Sequence, residues 1–292
     1  MTDLLPRRSV LYMPAANERA LEKAKSIPAD ALIFDLEDAV APEAKDQARH
    51  QAVAAAASGA YGSRELTIRC NGLDTPWGAE DVAAAAGAGP GLSAVVIPKV
   101  DSLATLDAVS AALDAGGADD ALSIWAMIET PTAILDARTL AAHPRVEVLV
   151  MGTNDLVKEL RATAGADRAA LLPHLASALV AAREAGKVIL DGVYNDIKDL
   201  DGFAAECAQG MALGFDGKTL IHPGQVEIAN DTWAPDATEI AEAERIIAAF
   251  AEAEAEGRGV VTVDGRMIEN LHVDGARRIL AVAAAIAERA TG

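Results

Sequence analysis

Short apolar runs alternate with longer amphipathic stretches along most of the chain, and this alternation restricts the fold more than any other feature. A strand followed by a helix and then by another strand is typical of a parallel sheet. Eight runs can be counted, at residues 10–13, 31–36, 66–70, 94–98, 123–128, 146–151, 188–193 and 215–221. Eight strand–helix repeats predict an α/β fold, the (β/α)8 barrel, which typically takes about 250 residues.

A doubly wound open sheet is the alternative to the barrel. That fold normally carries a glycine-rich phosphate-binding turn after an early strand, whereas the first strand here runs into MPAANER. After about residue 223 the strands stop, and helical stretches at 236–256 and 271–289 flank the hairpin-like segment GRGVVTVDGRMIEN. We therefore predict a barrel over residues 1–225 and a C-terminal helical lid segment over 226–292 that packs on its own barrel or on that of a neighbouring subunit.

Charge and hydropathy exclude two classes of partner. The chain has 44 Asp and Glu residues against 25 Lys and Arg residues, a formal net charge of −19, which repels the phosphate backbone of a nucleic acid. The apolar runs are far shorter than the roughly 18–20 residues that cross a bilayer, so no membrane partner is expected. The N-terminal MTDLLPRRSV lacks the features of a secretory signal, and we expect a cytoplasmic protein.

Polar side chains stand at the ends of the apolar runs, where a barrel builds its active site. Charged side chains lie in the last residues of the second to sixth runs or shortly after them: Asp35, Glu37, Asp38, Arg69, Lys99, Glu129 and Asp155. Several carboxylates would therefore meet at one mouth. Because like charges repel, a hard divalent cation is the usual means of keeping such carboxylates ionised.

Glu129 and Asp155 form the best candidate pair of metal ligands. They follow adjacent strands, and two carboxylates with the other positions left to water and substrate suit Mg²⁺, for which Mn²⁺ can substitute. A zinc site is not expected, because none of the five histidines lies in an HxH or HExxH pattern. The structural alternative is that Glu129 caps the helix that begins near Pro131 and that Asp155 is the N-cap of the next helix.

Two cationic residues at the predicted mouth each have a structural and a chemical interpretation. Arg69 either forms an ion pair with neighbouring acids or holds a substrate carbonyl and stabilises an enolate oxygen. For Lys99 a structural salt bridge is favoured over a Schiff-base role, because nearby carboxylates keep its amine protonated.

Seven motifs appear in order along nearly the whole chain. They are RRSVLYMPAANERALEKA, DALIFDLEDAV, IRCNG, VVIPKV, AMIET, MGTNDL and GFDGKTLIHP. Together they resemble the citrate lyase beta subunit-like family of HpcH/HpaI aldolases, which includes malyl-CoA lyases and (3S)-malyl-CoA thioesterases. The resemblance implies a (β/α)8 barrel, Mg²⁺, a CoA thioester substrate and a homotrimer or homohexamer whose C-terminal segment covers a neighbouring barrel.

The resemblance also assigns roles to residues at the predicted mouth. Glu129 and Asp155 match the metal ligands of the family, and Arg69 matches the arginine that holds the substrate carbonyl and enolate oxygen. Glu37 and Asp38 match acids that position water and the hydrogen-bond network of the site.

Further roles concern substrate binding. By resemblance, the backbone around Gly152 and Thr153 receives the substrate carboxylate. Arg19, Lys23 and Lys25 lie where a contact with a CoA phosphate is expected, and their alternative interpretation is as solvated charges on a helix.

One position departs from the pattern of the lyases. Their C-terminal lid supplies an aspartate from a GxMxD-like segment as acid or base, whereas DGRMIEN places Glu269 there. Glutamate is longer by one methylene group, so the geometry of proton transfer differs unless the backbone compensates. The segment is more similar to the thioesterase branch and to the uncharacterised lyase-like branch than to the dedicated malyl-CoA lyases.

The main hypothesis is a Mg²⁺-dependent carbon–carbon lyase that cleaves a 3-hydroxydicarboxyl-CoA such as malyl-CoA. The products would be acetyl-CoA and a 2-oxo acid, glyoxylate in the malyl case, with Arg69 on the enolate and Glu269 moving the proton. One alternative is a thioesterase that hydrolyses (3S)-malyl-CoA to malate and CoA. A further alternative is a non-catalytic subunit similar to the citrate lyase beta subunit.

Overall fold

Eight parallel strands close into a barrel in the computed structural model, which describes residues 5–291 apart from 164 and 166. The strands are β1 Ser9–Pro14, β2 Ala31–Asp35, β3 Glu65–Arg69, β4 Ala94–Ile97, β5 Ser123–Ile128, β6 Val146–Met151, β7 Val188–Asp191 and β8 Gly217–Leu220. Each strand pairs with the next along the chain, and β1 also pairs with β8. The predicted (β/α)8 barrel is confirmed.

Helices connect the strands and cover the outside of the barrel. They are α1 Glu18–Ala24, α2 Lys45–Ala57, α3 Gly78–Ala86, α4 Leu103–Ala115, α5 Pro131–Ala141, α6 Thr153–Glu159, α7 Leu172–Glu184, α8 Leu200–Leu213 and α9 Val226–Thr232. Local sequence explains their starts: Thr130 caps α5 by accepting the Ala133 N–H at 3.1 Å, and Pro131 occupies the first turn. Within the described part of the chain, no helix is long and apolar enough to cross a membrane.

Alternate residues of the strands fill the barrel interior. Because side chains of a strand point to opposite faces in turn, residues two apart share the inward face. The inward cluster contains such pairs from β2, β4, β5 and β6: Ala31 and Ile33, Ala94 and Val96, Trp125 and Met127, Val148 and Val150. Burial of this apolar surface stabilises the barrel by about 25 cal/mol per Å².

A buried ion cluster joins the end of β7 to the start of β8. Asp191 accepts hydrogen bonds from Lys218 Nζ at 2.9 Å and from Arg168 Nη1 at 2.8 Å, and Lys218 Nζ also lies 2.7 Å from Glu206 Oε1. Burial alone would raise the pKa of Asp191, but the charges of Lys218 and Arg168 outweigh it and lower that pKa.

The lowered pKa of Asp191 predicts acid sensitivity. Its stabilisation is complete above the ordinary aspartate pKa of about 3.9 and is lost as the pH falls through the lower folded-state pKa. The free energy of unfolding in urea should therefore fall between pH 5 and pH 2.5, and this fall should be smaller in Asp191→Asn than in the wild type. The exposed Asp201→Asn serves as the control and should follow the wild type. An equal fall of the unfolding free energy in all three proteins would contradict the lowered pKa of Asp191.

The described residues divide into two units, of which Arg7–Thr232 is one. Helix α9 belongs to this barrel unit and contacts β1 and β8, so the predicted boundary at residue 225 falls just before α9. The other unit comprises the described residues before Arg7 and after Thr232.

The second unit has the elements that the sequence predicts, two helices and a hairpin. They are α10 Ala237–Ala255, β9 Val261–Val263, β10 Arg266–Ile268 and α11 Asn270–Thr291. Asp264 and Gly265 form the two-residue turn of the hairpin with φ of 48° and 77°, as a type I′ turn requires. Phe250, Ile268 and Val273 are buried together and form a small core.

Candidate active site

Charged side chains gather where the strands end, on one rim of the barrel. Arg69 is the last residue of β3, Glu129 directly follows β5, and Asp155 lies in the first turn of α6. Glu37 follows β2, and Lys99 follows β4. Because these strands are neighbours in the barrel, their carboxyl ends bring the five residues to one mouth, the position where barrel enzymes place their catalytic groups.

Arg69 is held in a fixed orientation by Asp35. Its Nε and Nη2 each lie 2.7 Å from a different oxygen of the Asp35 carboxylate. Nη1 lies 2.7 Å from Glu37 Oε2 and 3.6 Å from Asp38 Oδ2. Burial would lower the pKa of Arg69, but the adjacent Asp35 carboxylate raises it well above its usual value. The guanidinium is thus a permanent, oriented cation with N–H groups at Nη1 on the side of the acids.

Asp35 also organises the loop that follows β2. Its Oδ1 accepts the Glu37 N–H at 2.9 Å, and its Oδ2 accepts the Ala39 N–H at 3.1 Å. One buried carboxylate therefore fixes both Arg69 and the backbone that carries Glu37.

Lys45 holds the same loop from the other side. Its Nζ donates hydrogen bonds to the carbonyl oxygens of Leu36 and Glu37, each at 2.7 Å, and to Asn71 Oδ1 at 2.8 Å. Burial lowers the pKa of Lys45 from its usual value, although Asp35 and other acids oppose this. Sequence reasoning missed this contact, because nothing in the residue pattern shows that the first residue of α2 reaches the end of β2.

Glu129 is a buried carboxylate. Its exposed fraction is 3%, and its Oε1 accepts the Lys99 N–H at 2.7 Å. Burial raises the pKa of Glu129 to about 7, and the charges of Glu37 and Asp155 contribute in the same direction. The structural alternative for Glu129 is wrong, because Thr130 and not Glu129 caps α5.

Asp155 lies on the rim next to Glu129, with 29% of its side chain exposed. It is not the N-cap of α6, since that position belongs to Gly152. Asp155 is the third residue of the helix, where an acid is favourable, and no side-chain hydrogen bond caps this helix start. Lys158, one turn further along the same helix, lies 4.0 Å from Asp155 Oδ1.

The donor set fits a magnesium ion. Glu129 and Asp155 supply hard oxygen ligands, and Mg²⁺ is commonly bound through one or two carboxylates with water completing its octahedron. No group of three or more His, Cys, Asp or Glu side chains in the described residues could hold a metal, so water and substrate must supply the other ligands. A divalent cation would also offset the burial and the neighbouring Glu37 and Asp155 charges, which together raise the pKa of Glu129.

Gly152 leaves room for the Glu129 side chain. A Cβ at this position would lie 2.3 Å from both Cβ and Oε2 of Glu129. The Gly152 N–H is donated to the Ile128 carbonyl oxygen at 3.1 Å. The Gly152 N–H is therefore not available to the substrate carboxylate. The Thr153 N–H is the predicted donor, because the backbone N–H of the first helical residue has no acceptor within the helix.

Gly152→Ala is expected to displace the Glu129 carboxylate. We expect the affinity for Mn²⁺, measured by calorimetry, to fall about tenfold or more, as in sites where the support of a ligand is lost. Gly87→Ala is the matched control, because its Cβ would meet no atom closer than 3.7 Å. Equal Mn²⁺ affinity in Gly152→Ala and the wild type would rule out close packing of Gly152 on a metal ligand.

Tyr12 is a further residue of the mouth that sequence reasoning missed. The Arg69 guanidinium carbon lies 4.8 Å from the centre of the Tyr12 ring, within the range of a cation–π interaction. Burial raises the pKa of Tyr12 above its usual value, and Asp35 and Glu129 add to this effect. Its place in an apolar strand run gave no sign of this contact.

The predicted CoA contacts lie along α1. Arg19 and Lys23 are exposed, and Arg19 is in the first turn, next to the carboxyl end of β1. Lys25 follows the last turn, where its Nζ lies 2.5 Å from Glu22 Oε2 and 6.0 Å from the Tyr61 ring centre. Because α1 runs away from the carboxyl end of β1, Arg19 is the one of the three on the mouth side. All three assignments stay predictions.

Glu269 belongs to the second unit. It follows β10 directly and is half-buried, and its N–H donates to His272 Nδ1 at 3.2 Å. Its predicted role in a neighbouring barrel stays a prediction.

A barrel with paired carboxylates and an oriented arginine at its mouth has clear relatives. Residues 8–223 match the model of the family described as HpcH/HpaI aldolase/citrate lyase. The chain belongs to this family, as the resemblance of its motifs predicted.

Two relatives of known name cover nearly the whole chain. The (3S)-malyl-CoA thioesterase of Cereibacter sphaeroides (strain ATCC 17025 / ATH 2.4.3) is 51% identical over 97% of this chain and 96% of its own length. Citrate lyase subunit beta of Escherichia coli (strain K12) is 36% identical over 94% of this chain and 92% of its own length.

Solved structures show the same fold. The protein CitE from Mycobacterium tuberculosis, in complex with magnesium, acetoacetate and coenzyme A, superposes with a TM-score of 0.77 and 27% identity, covering 94% of this chain and 97% of that one. A citrate lyase from Burkholderia xenovorans LB400 superposes with a TM-score of 0.85 at 20% identity, covering 97% of this chain and 93% of that one, which supports the fold alone.

Proposed function

We propose that this protein is a Mg²⁺-dependent thioesterase that hydrolyses (3S)-malyl-CoA to malate and CoA. The observation that carries this proposal is the 51% identity, over almost the full length of both chains, to the (3S)-malyl-CoA thioesterase of Cereibacter sphaeroides. The carbon–carbon lyase, which the sequence alone placed first, has weaker support, since the citrate lyase subunits are 36% identical or less among the relatives compared.

Glu129 and Asp155 are the residues proposed to hold Mg²⁺. When bound, Mg²⁺ polarises a carbonyl oxygen and orients ligands for reaction. Glu129 is kept in place by the Lys99 N–H and by its contact with Gly152. The Thr153 N–H is the proposed contact for the free carboxylate of the malyl group.

Arg69 is proposed to hold the thioester carbonyl oxygen. Asp35 occupies Nε and one N–H of Nη2, and Glu37 Oε2 lies 2.7 Å from Nη1, which leaves one N–H of Nη1 for the substrate. A charged donor fixed before the reaction stabilises the negative oxygen that develops when the carbonyl carbon is attacked.

Glu37 is proposed as the base that activates water. Its Oε2 makes no hydrogen bond within the described residues, although it lies 2.7 Å from Arg69 Nη1. Oε2 takes a proton from water as the water oxygen bonds to the thioester carbonyl carbon. The C–S bond then breaks, and Glu37 returns the proton to the departing thiolate, so that malate and CoA are released. Asp38, more exposed, is proposed to assist in orienting the water.

Lyase activity is the second candidate, because it needs the same ion and the same arginine. Here Arg69 would stabilise the enolate of acetyl-CoA, and Glu269 of a neighbouring subunit would move the proton. The homotrimer or homohexamer implied by the resemblance, the 2-oxo acid partner and the cytoplasmic location likewise stay proposals.

Product analysis separates the candidates. Purified protein is incubated with (3S)-malyl-CoA and Mg²⁺, and free thiol, malate, glyoxylate and acetyl-CoA are measured. We expect equal amounts of free thiol and malate without glyoxylate, and we expect EDTA to stop the reaction. Glyoxylate and acetyl-CoA in equal amounts would identify a lyase instead, and the absence of any product would support a non-catalytic subunit.

A further inference from the structure

Lys99 lies at the centre of the acidic rim. It is two residues beyond the end of β4, which is paired with β3 on one side and β5 on the other. Lys99 therefore stands between the strand that ends in Arg69 and the strand that leads into Glu129. Its side chain is exposed.

The backbone of Lys99 is held in an unfavourable conformation. Its φ is 50°, in the left-handed region that residues with a Cβ rarely adopt. In this conformation the Lys99 N–H donates to Glu129 Oε1 at 2.7 Å. This hydrogen bond explains the backbone geometry, and glycine would satisfy it with less strain. The long cationic side chain therefore needs a separate explanation.

The predicted structural salt bridge of Lys99 does not provide that explanation. Across the described residues, no carboxylate lies within 4.0 Å of the Lys99 ammonium. Burial would lower the pKa of Lys99, but Glu37, Asp155 and Glu129 outweigh this effect and raise it. The ammonium thus stays charged near several acids without being engaged by any one of them.

An anionic substrate entering this mouth needs such a cation. The acids of the rim repel a carboxylate or a phosphate. The Arg69 guanidinium is paired with Asp35 and Glu37, and its remaining Nη1 N–H is the proposed contact for the thioester carbonyl oxygen. Lys158 lies close to two acids, Asp155 and Glu159. Of these three cations in the described part of the rim, Lys99 is the one whose ammonium has no carboxylate within 4.0 Å.

We propose that the Lys99 ammonium binds an anionic group of the thioester substrate, either the free carboxylate of the acyl part or a phosphate of CoA. The proposal rests on the proposed function, because it assumes an anionic CoA ester in this mouth. It makes Lys99 a substrate-binding residue in addition to the metal ligands and Arg69.

Three variants separate the side chain of Lys99 from its backbone. Lys99→Met and Lys99→Gly keep the N–H that holds Glu129, and Lys99→Arg keeps the charge. We expect KM for (3S)-malyl-CoA to rise about tenfold or more in Lys99→Met and Lys99→Gly, the effect of losing a charged hydrogen bond, while kcat changes little. Lys99→Arg should recover most of the affinity. Mn²⁺ affinity, measured by calorimetry, should match the wild type in all three variants. If Lys99 acted only by holding Glu129, a rise in KM would be accompanied by a loss of Mn²⁺ affinity.

Malyl-pantetheine, which lacks the nucleotide of CoA, identifies the anion. A KM defect of Lys99→Met that persists with this substrate assigns the contact to the carboxylate, and a defect that disappears assigns it to a phosphate. An unchanged KM in Lys99→Met and Lys99→Gly, with normal turnover, would overturn the Lys99 proposal alone.

A wild-type protein that releases no thiol would instead contradict the proposed function. Calorimetric titration of wild type and Lys99→Met with malate and with CoA, in the presence of Mg²⁺, then decides the Lys99 proposal without turnover. Weaker binding of either ligand to Lys99→Met supports it, and equal binding of both overturns it.

Discussion

Arg69→Lys is expected to lower kcat for (3S)-malyl-CoA about 100-fold or more. Lysine keeps the positive charge but loses the planar fork that binds Asp35 with two hydrogen bonds and directs Nη1 toward the acids. Loss of one oriented donor to a developing oxyanion typically lowers kcat by about 10²–10³. Steady-state kinetics at saturating Mg²⁺ measure the effect.

Arg138→Lys is the matched control for this prediction. Arg138 also pairs with a carboxylate through two nitrogens, that of Glu184, but it lies exposed on α5 away from the strand ends. We expect its kcat to equal that of the wild type.

Because Asp35 is buried, we also expect Arg69→Met, which removes the charge altogether, to lower the free energy of unfolding by about 3–5 kcal/mol. Normal kcat in Arg69→Lys would exclude Arg69 from the reaction.

Glu129→Gln is expected to abolish Mg²⁺-dependent turnover while leaving the fold intact. The amide oxygen can still accept the Lys99 N–H, so the shape of the site is kept. Losing the support of a metal ligand typically lowers metal affinity about 10–100-fold, and losing the ligand itself should lower it at least as much. We therefore expect a large loss of Mn²⁺ affinity by calorimetry and a kcat at least about 100-fold lower.

Stability distinguishes this loss from unfolding. Burial raises the pKa of Glu129 to about 7, so without metal the folded state loses stability as the pH rises from the ordinary glutamate pKa of about 4.3 to about 7, and the whole loss is present above pH 7. The free energy of unfolding of Glu129→Gln at pH 8, measured in EDTA, should therefore equal or exceed that of the wild type. Glu159→Gln, at the exposed C-terminal end of α6, is the control and should keep full activity. Wild-type Mn²⁺ affinity in Glu129→Gln would remove Glu129 from the set of ligands.

The barrel could be predicted because its physical cause is local and repeated. Runs of apolar residues that end in a charged or small polar residue define strands buried on both faces, and β5 and β6 end at Ile128 and Met151 as the runs predict. The last run was predicted too long, since β8 covers only Gly217–Leu220. Asp216 lies in the preceding turn, where its side chain accepts the Ile189 N–H at 2.9 Å.

The supporting contacts of the site could not be predicted, because they depend on approaches between distant parts of the chain. Lys45 and Asn71 are 26 residues apart, and only the closed barrel brings the start of α2 beside the end of β3. Likewise, the acids after β2 were visible in the sequence, but the bidentate pairing of Asp35 with Arg69 depends on the register of β2 against β3, in which these two residues are partners.

A crystal structure with Mg²⁺ and a non-hydrolysable analogue of malyl-CoA tests the central claim most directly. The account predicts one ion about 2.0–2.1 Å from a carboxylate oxygen of Glu129 and from one of Asp155, with Arg69 Nη1 in hydrogen-bond contact with the thioester carbonyl oxygen. An ion bound elsewhere, or an Arg69 that faces away from the thioester, would contradict it.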